Sequence, residues 1–215
     1  NRGEIACRIA RTARRMGIRT VAVYSDADAD AMHVAACDEA YRLGPPPPRE
    51  SYLDGSAIIA IAKRSGAQAI HPGYGFLSEN ALFARRCELQ KLTFIGPPAR
   101  AIALMGDKSE AKRTLKRFGL TTIPGSEGTL DGLDEAVAAA ARAGYPVLLK
   151  ATAGGGGKGM RLARSEPELK RVFPEAALEA EKAFGDPSLY LESFIEGARH
   201  IEFQVLVDSR GSAIH

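Results

Sequence analysis

From Glu4 to Gly96 the apolar positions switch repeatedly between a period near 3.6 and short continuous runs, the alternation expected of helices and strands taking turns. Glu4 to Met16 reads as an amphipathic helix closed by Gly17, and Thr20 to Tyr24 as a buried strand that runs into the polar turn Ser25 to Asp30. Tyr52 to Arg64 predicts a second helix closed by Gly66, followed by a short strand Ala67 to Ile70. Ala81 to Leu89 predicts a third helix and Thr93 to Ile95 a third strand. Helices between strands imply a parallel sheet covered by helices. Pro45 to Pro48 reads as a stiff extended connector within this unit.

Around Pro97 the pattern changes. Pro98 to Met105 and Lys108 to Phe118 predict two successive helices, and Asp134 to Ala143 an alanine-rich helix with its cap near Asp131. Two strands then follow around a glycine run, then a helix over Pro167 to Phe184, a strand over Leu189 to Phe194, and a hairpin of Ile201 to Asp208 with Ser212 to His215. This second half is α+β, an antiparallel sheet with helices on one side. The fold class is therefore α/β, a Rossmann-like parallel-sheet unit followed by an α+β unit. The chain opens almost directly on a helix and stops inside an alternating run, so the expectation is a fragment of a longer protein.

The most informative segment is Tyr145 to Met160, YPVLLKATAGGGGKGM. Pro146 to Ala151 is an apolar run of buried-strand type, and Lys150 near its end can set a compact positive charge against phosphate oxygens. Gly154 to Gly157 supply backbone without Cβ atoms, so that amide groups can approach a polyphosphate, and Lys158 adds a second cation. Gly154, Gly156 and Gly159 match the spacing G-x-G-x-x-G, but the dinucleotide fingerprint must open a helix, whereas Met160 to Arg164 reads as a strand. A Walker A loop is excluded as well, because Gly159 follows Lys158 where Ser or Thr is required. What remains is a β-hairpin whose glycine tip closes over a nucleotide; the alternative is a plain flexible hairpin.

Other positions suggest the rest of a site. Lys108, in Met105 to Ser109, lies in the first turn of its helix, where a cation opposes the helix dipole and an anion could compensate it. Tyr190 to Ile195 is a strand running into a bend, where free main-chain groups could match a purine edge; an ordinary core strand explains the same residues. His200, Glu202 and Gln204 would share one face of a strand, without forming a metal triad. The loop His71 to Asn80, HPGYGFLSEN, follows the carboxyl end of a strand, which is where ligands bind in parallel sheets.

Bulk properties narrow the function classes. The net charge is only +3 over 215 residues, and Arg8, Arg11, Arg14, Arg15 and Arg19 read as one solvated helix face, which argues against nucleic-acid binding. Cys7, Cys37 and Cys87 have neither zinc nor disulfide spacing, suit a reducing compartment, and read as buried small hydrophobes. No apolar run approaches the ~18 residues of a membrane span.

Taken together, NRGEIACRI at Asn1 to Ile9, HPGYGFLSEN at His71 to Asn80, FIGP and MGDK between Phe94 and Lys108, GYPVLLKATAGGGGKGMR at Gly144 to Arg161 and RHIEFQVL at Arg199 to Leu206 closely resemble biotin carboxylase. The resemblance spans essentially the whole chain. It implies a pre-ATP-grasp N-terminal domain over 1–97 and an incomplete ATP-grasp domain over 98–215, with a lid subdomain over about 122–194. It implies ATP contacts from Lys108, Lys150, Gly156, Gly157, Glu192, Ser193, Phe194, Ile195 and His200, and a biotin-proximal loop that includes Tyr74 and Gly75.

The implied cofactors are ATP and Mg2+ or Mn2+, with biotin on a carrier as substrate. The implied partners are a biotin carboxyl carrier protein or domain, a carboxyltransferase subunit or domain, and a second copy of the chain. The compartment would be the bacterial cytoplasm or the mitochondrial matrix. The catalytic and metal-binding residues of such enzymes fall outside residues 1–215. The sequence departs from the family at Ser193, where lysine is usual, and at Lys91, where glycine is usual. Two readings compete: a nucleotide-binding module without catalysis, and another ATP-grasp ligase, which should lack the HPGYGFLSEN loop.

Overall fold

The structure is a computed structural model that describes every residue except Asp107 and 154–159, together with the side chains of Lys108 and Ser109. The described chain divides into two compact units, Asn1–Ala111 and Lys112–His215.

In the first unit, α1 (Gly3–Arg15) leads into β1 (Val21–Ser25), and α2 (Met32–Ala36) leads into β2 (Glu39–Gly44), which pairs parallel to β1 with Val21 opposite Glu39. Next come α3 (Gly55–Arg64), β3 (Ala69–Ile70), α4 (Ala81–Leu89), β4 (Thr93–Phe94) and α5 (Ala99–Gly106), with β3 and β4 again parallel. The predicted parallel strands and intervening helices are present, but as two separate two-stranded sheets, β1-β2 and β3-β4, rather than the single sheet expected, with β2 and α2 as additions that the hydrophobic pattern does not reveal.

Helix α3 starts later than predicted, because the Asp54 carboxylate accepts from the N–H groups of Ser56 and Ala57 and so sets the N-terminus there. Tyr52 is thereby released to the core. Its ring stacks on Phe76 at 5.2 Å, and its hydroxyl accepts from the Ser25 N–H and donates to Asp28. Pro45 to Pro48 is not simply extended: Pro48–Glu50 form a 3-10 turn, and the Leu53 N–H returns to the Pro48 carbonyl at 2.8 Å.

The core of this unit joins Ile59, Ala62, Leu77, Phe83, Cys87 and Leu92, with Phe83 edge-on to Phe94 at 6.1 Å. Of the three cysteines only Cys87 is buried; Cys7 and Cys37 are partly exposed, so the expectation of three buried thiols holds for one. All three are free thiols.

The second unit is built on a three-stranded antiparallel sheet of order β6-β5-β7, from β5 (Val147–Ala151), β6 (Met160–Ala163) and β7 (Leu189–Ser193). Helix α6 (Lys108–Arg117) precedes it, α7 (Leu133–Ala143) leads into β5, and α8 (Glu166–Phe184) connects β6 to β7. Along β5 burial alternates: Val147, Leu149 and Ala151 are buried on one face, while Leu148 and Lys150 point to the other.

The buried face packs on α7 and α8 through Leu169 and through Ala136, Ala139, Ala140, Ala176 and Ala180, whose small side chains let the helices lie close to the sheet. Gly185 ends α8 in the left-handed conformation, its N–H returning to the Glu181 carbonyl. The predicted hairpin near the end is much reduced. Only β8 (Leu206–Val207) and β9 (Ala213–Ile214) pair, and residues 201–205 form no strand. Ile201, Phe203 and Val205 are all exposed, so no packing partner fixes an extended conformation there.

Candidate functional site

The register of the three-stranded sheet determines which side chains share its second face. Lys150 lies opposite Tyr190 of β7 and Met160 of β6, while Leu148 lies opposite Glu192 and Leu162. Because side chains alternate along each strand, Lys150, Tyr190, Glu192, Leu148, Leu162 and Met160 all project from the face that α7 and α8 leave free.

Glu192 sits at the polar centre of this face and is 8% exposed. Its Oε2 accepts from Lys150 Nζ at 2.5 Å and its Oε1 from Lys112 Nζ, on α6, at 2.6 Å. The two ammonium groups lie 5.9 and 5.8 Å from the centre of the Tyr190 ring, within cation–π range. Burial by itself pushes the Glu192 carboxyl up, but hydrogen bonds from Lys112 and Lys150, together with their charges, outweigh it and hold the group below the usual glutamate range. Burial, reinforced by the Glu192 charge, pushes the Tyr190 hydroxyl up to about 12, so it stays a neutral phenol.

Glu192 owes its place partly to Gly125. The strip 124–126 lies along β7: the Ser193 N–H donates to the Pro124 carbonyl at 2.8 Å, and the Ser126 N–H to the Leu191 carbonyl at 2.9 Å. Ser126 Oγ accepts from the Leu191 N–H at 3.0 Å. A Cβ on Gly125 would fall 2.1 Å from the Leu191 carbonyl oxygen, so this close backbone contact requires glycine. A cavity of about 330 Å3 opens beside the strip, walled by Lys112, Lys116, Arg142 and Ser126 among others.

Of the predicted nucleotide contacts, Lys150 and Glu192 are thus joined directly. Ser193 ends β7, its hydroxyl donating to the Ala143 carbonyl at 3.1 Å, and Phe194 and Ile195 continue beyond the strand with exposed side chains. His200 is exposed and lies 3.1 Å from Glu202, outside any regular element, so the predicted polar row on one strand face is not formed. Lys108 is the first residue of α6, and its side chain lies outside the described residues, as do Gly156, Gly157 and Lys158.

Lys112, Tyr190, Leu148, Leu162 and Met160 were not singled out from the sequence. The alternation that buries Leu149 and Leu191 also assigns Leu148, Lys150, Tyr190 and Glu192 to one face, and that signal could have found Leu148 and Tyr190 beside the two residues already predicted.

In the first unit, the loop 71–80 is tied down from beneath. Asn1 Nδ2 donates to the carbonyls of Pro72 at 2.9 Å and Tyr74 at 2.6 Å, and His71 Nδ1 accepts from the Gly73 N–H. Gly73, Gly75 and Phe76 all take positive φ, and the stacking of Phe76 on Tyr52 anchors the turn. Tyr74 itself is exposed. Among the described residues, no group of three His, Cys, Asp or Glu side chains could hold a metal ion, and no helix is long and apolar enough to cross a membrane.

Family models match both halves of the chain: "Biotin carboxylase, N-terminal domain" over residues 1–102 and "Carbamoyl-phosphate synthase L chain, ATP binding domain" over residues 107–215. The chain is 56% identical over its whole length to methylcrotonoyl-CoA carboxylase subunit alpha, mitochondrial, of Glycine max, covering 29% of that protein. It is 53% identical to biotin carboxylase 1 of Bacillus subtilis, covering 48% of it.

Among solved structures, the biotin carboxylase–β,γ-ATP complex from Campylobacter jejuni superposes with a TM-score of 0.91 at 48% identity, covering all of this chain and 48% of that one. The biotin carboxylase domain dimer of Hydrogenobacter thermophilus 2-oxoglutarate carboxylase, in complex with MgADP, ADP and bicarbonate, gives 0.89 at 52% identity, covering all of this chain and 47% of that one. The chain therefore spans about half or less of the length of these relatives. With both halves matched, with 53% identity to a biotin carboxylase and with this backbone agreement, the chain belongs to the biotin carboxylase family.

Proposed function

We propose that the protein carboxylates biotin at the expense of ATP, the first half-reaction of a biotin-dependent carboxylase. Bicarbonate attacks the γ-phosphoryl group to give carboxyphosphate and ADP. Carboxyphosphate then breaks down to CO2 and inorganic phosphate, and N1 of biotin, having given its proton to a base, captures the CO2. The observation that carries the reading is the open face of the β6-β5-β7 sheet, where a part-buried lysine stands beside the apolar side chains of Leu148, Leu162 and Met160. A flat purine suits the apolar part and a polyphosphate suits the cation.

On this reading, Lys150 and Lys108 neutralise phosphate charge, the main chain of Gly156 and Gly157 closes over the phosphates, and the stretch from Glu192 through Ser193 and Phe194 to Ile195 offers main-chain groups to the adenine edge. His200 belongs to the nucleotide site, and Tyr74 and Gly75 to the loop near biotin. Positioning and charge neutralisation carry the rate of such a phosphoryl transfer. Residues 1–97 form the pre-ATP-grasp domain and 98–215 belong to the ATP-grasp domain, with 122–194 as its lid. Among the described residues no group of carboxylates could hold Mg2+ or Mn2+, and on this reading the metal-binding residues lie outside residues 1–215.

The partners would be a biotin carboxyl carrier protein or domain, a carboxyltransferase and a second copy of the chain, in line with the dimer described for the H. thermophilus domain. The compartment would be the cytoplasm of a bacterium or the mitochondrial matrix, in line with relatives that include a bacterial protein and one named as mitochondrial. The test is ATP hydrolysis by the complete protein: it should require bicarbonate, rise with free biotin, and show a raised KM for ATP in Lys150→Ala. Bicarbonate-independent hydrolysis that tolerates Lys150→Ala would count against the proposal.

A further inference from the structure

The side chain of Glu192 divides its two oxygens between two lysines, Oε2 to Lys150 and Oε1 to Lys112. All three side chains are at least three-quarters buried, with 11% of the Glu192 side chain exposed, 25% of Lys150 and 18% of Lys112. A carboxylate so far removed from water cannot lose its only cation cheaply, because an unpaired buried charge is strongly destabilising. If Lys150 were its sole partner, Glu192 would hold that lysine back, and any anion recruiting Lys150 would have to bear the cost of stranding Glu192. The second lysine removes the conflict: when Lys150 turns to an anion, Oε1 still accepts from Lys112, and the carboxylate remains paired. The Tyr190 ring lies 5.8 Å from the Lys112 ammonium as well as 5.9 Å from that of Lys150, so it too keeps one cation beside it when Lys150 turns away.

We infer that Lys112 is a positioning residue which keeps Glu192 neutralised, and so releases Lys150 to bind the polyphosphate of ATP. The inference rests on the nucleotide reading above and adds to it a residue that touches no substrate atom. It also explains an arrangement that would otherwise be wasteful, a glutamate facing directly onto the lysine required for phosphate.

The test compares ATP and adenosine binding by calorimetry in the complete protein and three variants, Lys112→Met, Lys112→Gln and Lys112→Met combined with Glu192→Gln. Two single replacements are used so that one folded variant suffices. Expected is a loss of about tenfold or more in ATP affinity on losing Lys112, the scale of one charge-assisted hydrogen bond, with adenosine affinity within about twofold of the wild type. Adding Glu192→Gln should restore ATP affinity to within about threefold of the wild type, because a neutral amide no longer detains Lys150.

The inference falls if losing Lys112 leaves ATP binding unchanged, or weakens adenosine as much as ATP, which would mark a purely structural role. It also falls if Glu192→Gln fails to rescue, which would make Lys112 a direct phosphate ligand. A wild-type protein that binds adenosine and ATP equally weakly would remove the nucleotide reading, and this inference with it.

Discussion

Replacing Gly125 by alanine tests whether the strip 124–126 supports the site. The added Cβ would sit 2.1 Å from the Leu191 carbonyl oxygen and 2.9 Å from Glu192 Cα, both backbone atoms that no rotamer change can move aside. The strip must therefore lift away from β7. Three bonds depend on it: Ser193 N–H to Pro124, Ser126 N–H to Leu191, and Leu191 N–H to Ser126 Oγ. At about 1 kcal/mol each, their loss costs about 3 kcal/mol, and more where a buried N–H finds no new partner.

Hydrogen exchange followed by mass spectrometry reads this locally, and thermal unfolding by circular dichroism reads it as a whole. Peptides covering Leu191 and Ser193 should lose protection, and the transition of the second unit should fall by several degrees. Gly128→Ala is the control, since nothing lies within 4 Å of its added Cβ and its stability should change by less than about 0.5 kcal/mol. A Gly125→Ala protein with unaltered protection at both amides would refute the reasoning.

Two further outcomes follow from particular side chains. Glu192 has its carboxyl held below its ordinary value of 4.5, so the stabilisation it brings is complete at neutral pH and drains away as pH falls through its lower folded value. Glu192→Gln should be less stable than the wild type near pH 7, and the gap should close on acidification in urea titrations; a gap that widens toward acid would contradict the assignment. Lys91 stands at φ 57, in the left-handed region, where a side chain costs about 1 kcal/mol. Lys91→Gly should therefore raise the stability of the first unit by up to about 1 kcal/mol, and a fall in its melting temperature would argue against backbone strain there.

Much of this was legible in the chain because the signals were local. Pro146 to Ala151 is a compact apolar run, so β5 could be read directly, whereas which of its faces is buried, Val147, Leu149 and Ala151 against Leu148 and Lys150, shows only in the folded sheet. Gly17 and Gly185 stop α1 and α8 within a residue or two of where the pattern ends. Strand β2 escaped notice because Glu39 to Gly44 mixes charged and apolar residues, and its stability comes from parallel pairing to β1 rather than from its own composition.

Lys112 escaped for a similar reason. It is one cation among several along α6, and only the tertiary approach of Glu192 distinguishes it from Lys116, which pairs with the exposed Glu127 instead. The region 201–205 erred in the other direction. Its alternation predicts a strand, but alternation gives an extended conformation only where a neighbouring strand or core takes up the apolar face, and here those side chains are exposed.

The proposed function requires that carboxylate be transferred to biotin. The complete protein, given ATP, a divalent cation, radiolabelled bicarbonate and free biotin, should form carboxybiotin in an amount that tracks ADP released, and Lys150→Ala should suppress both together at limiting ATP. Label-free biotin alongside undiminished ATP hydrolysis would contradict it.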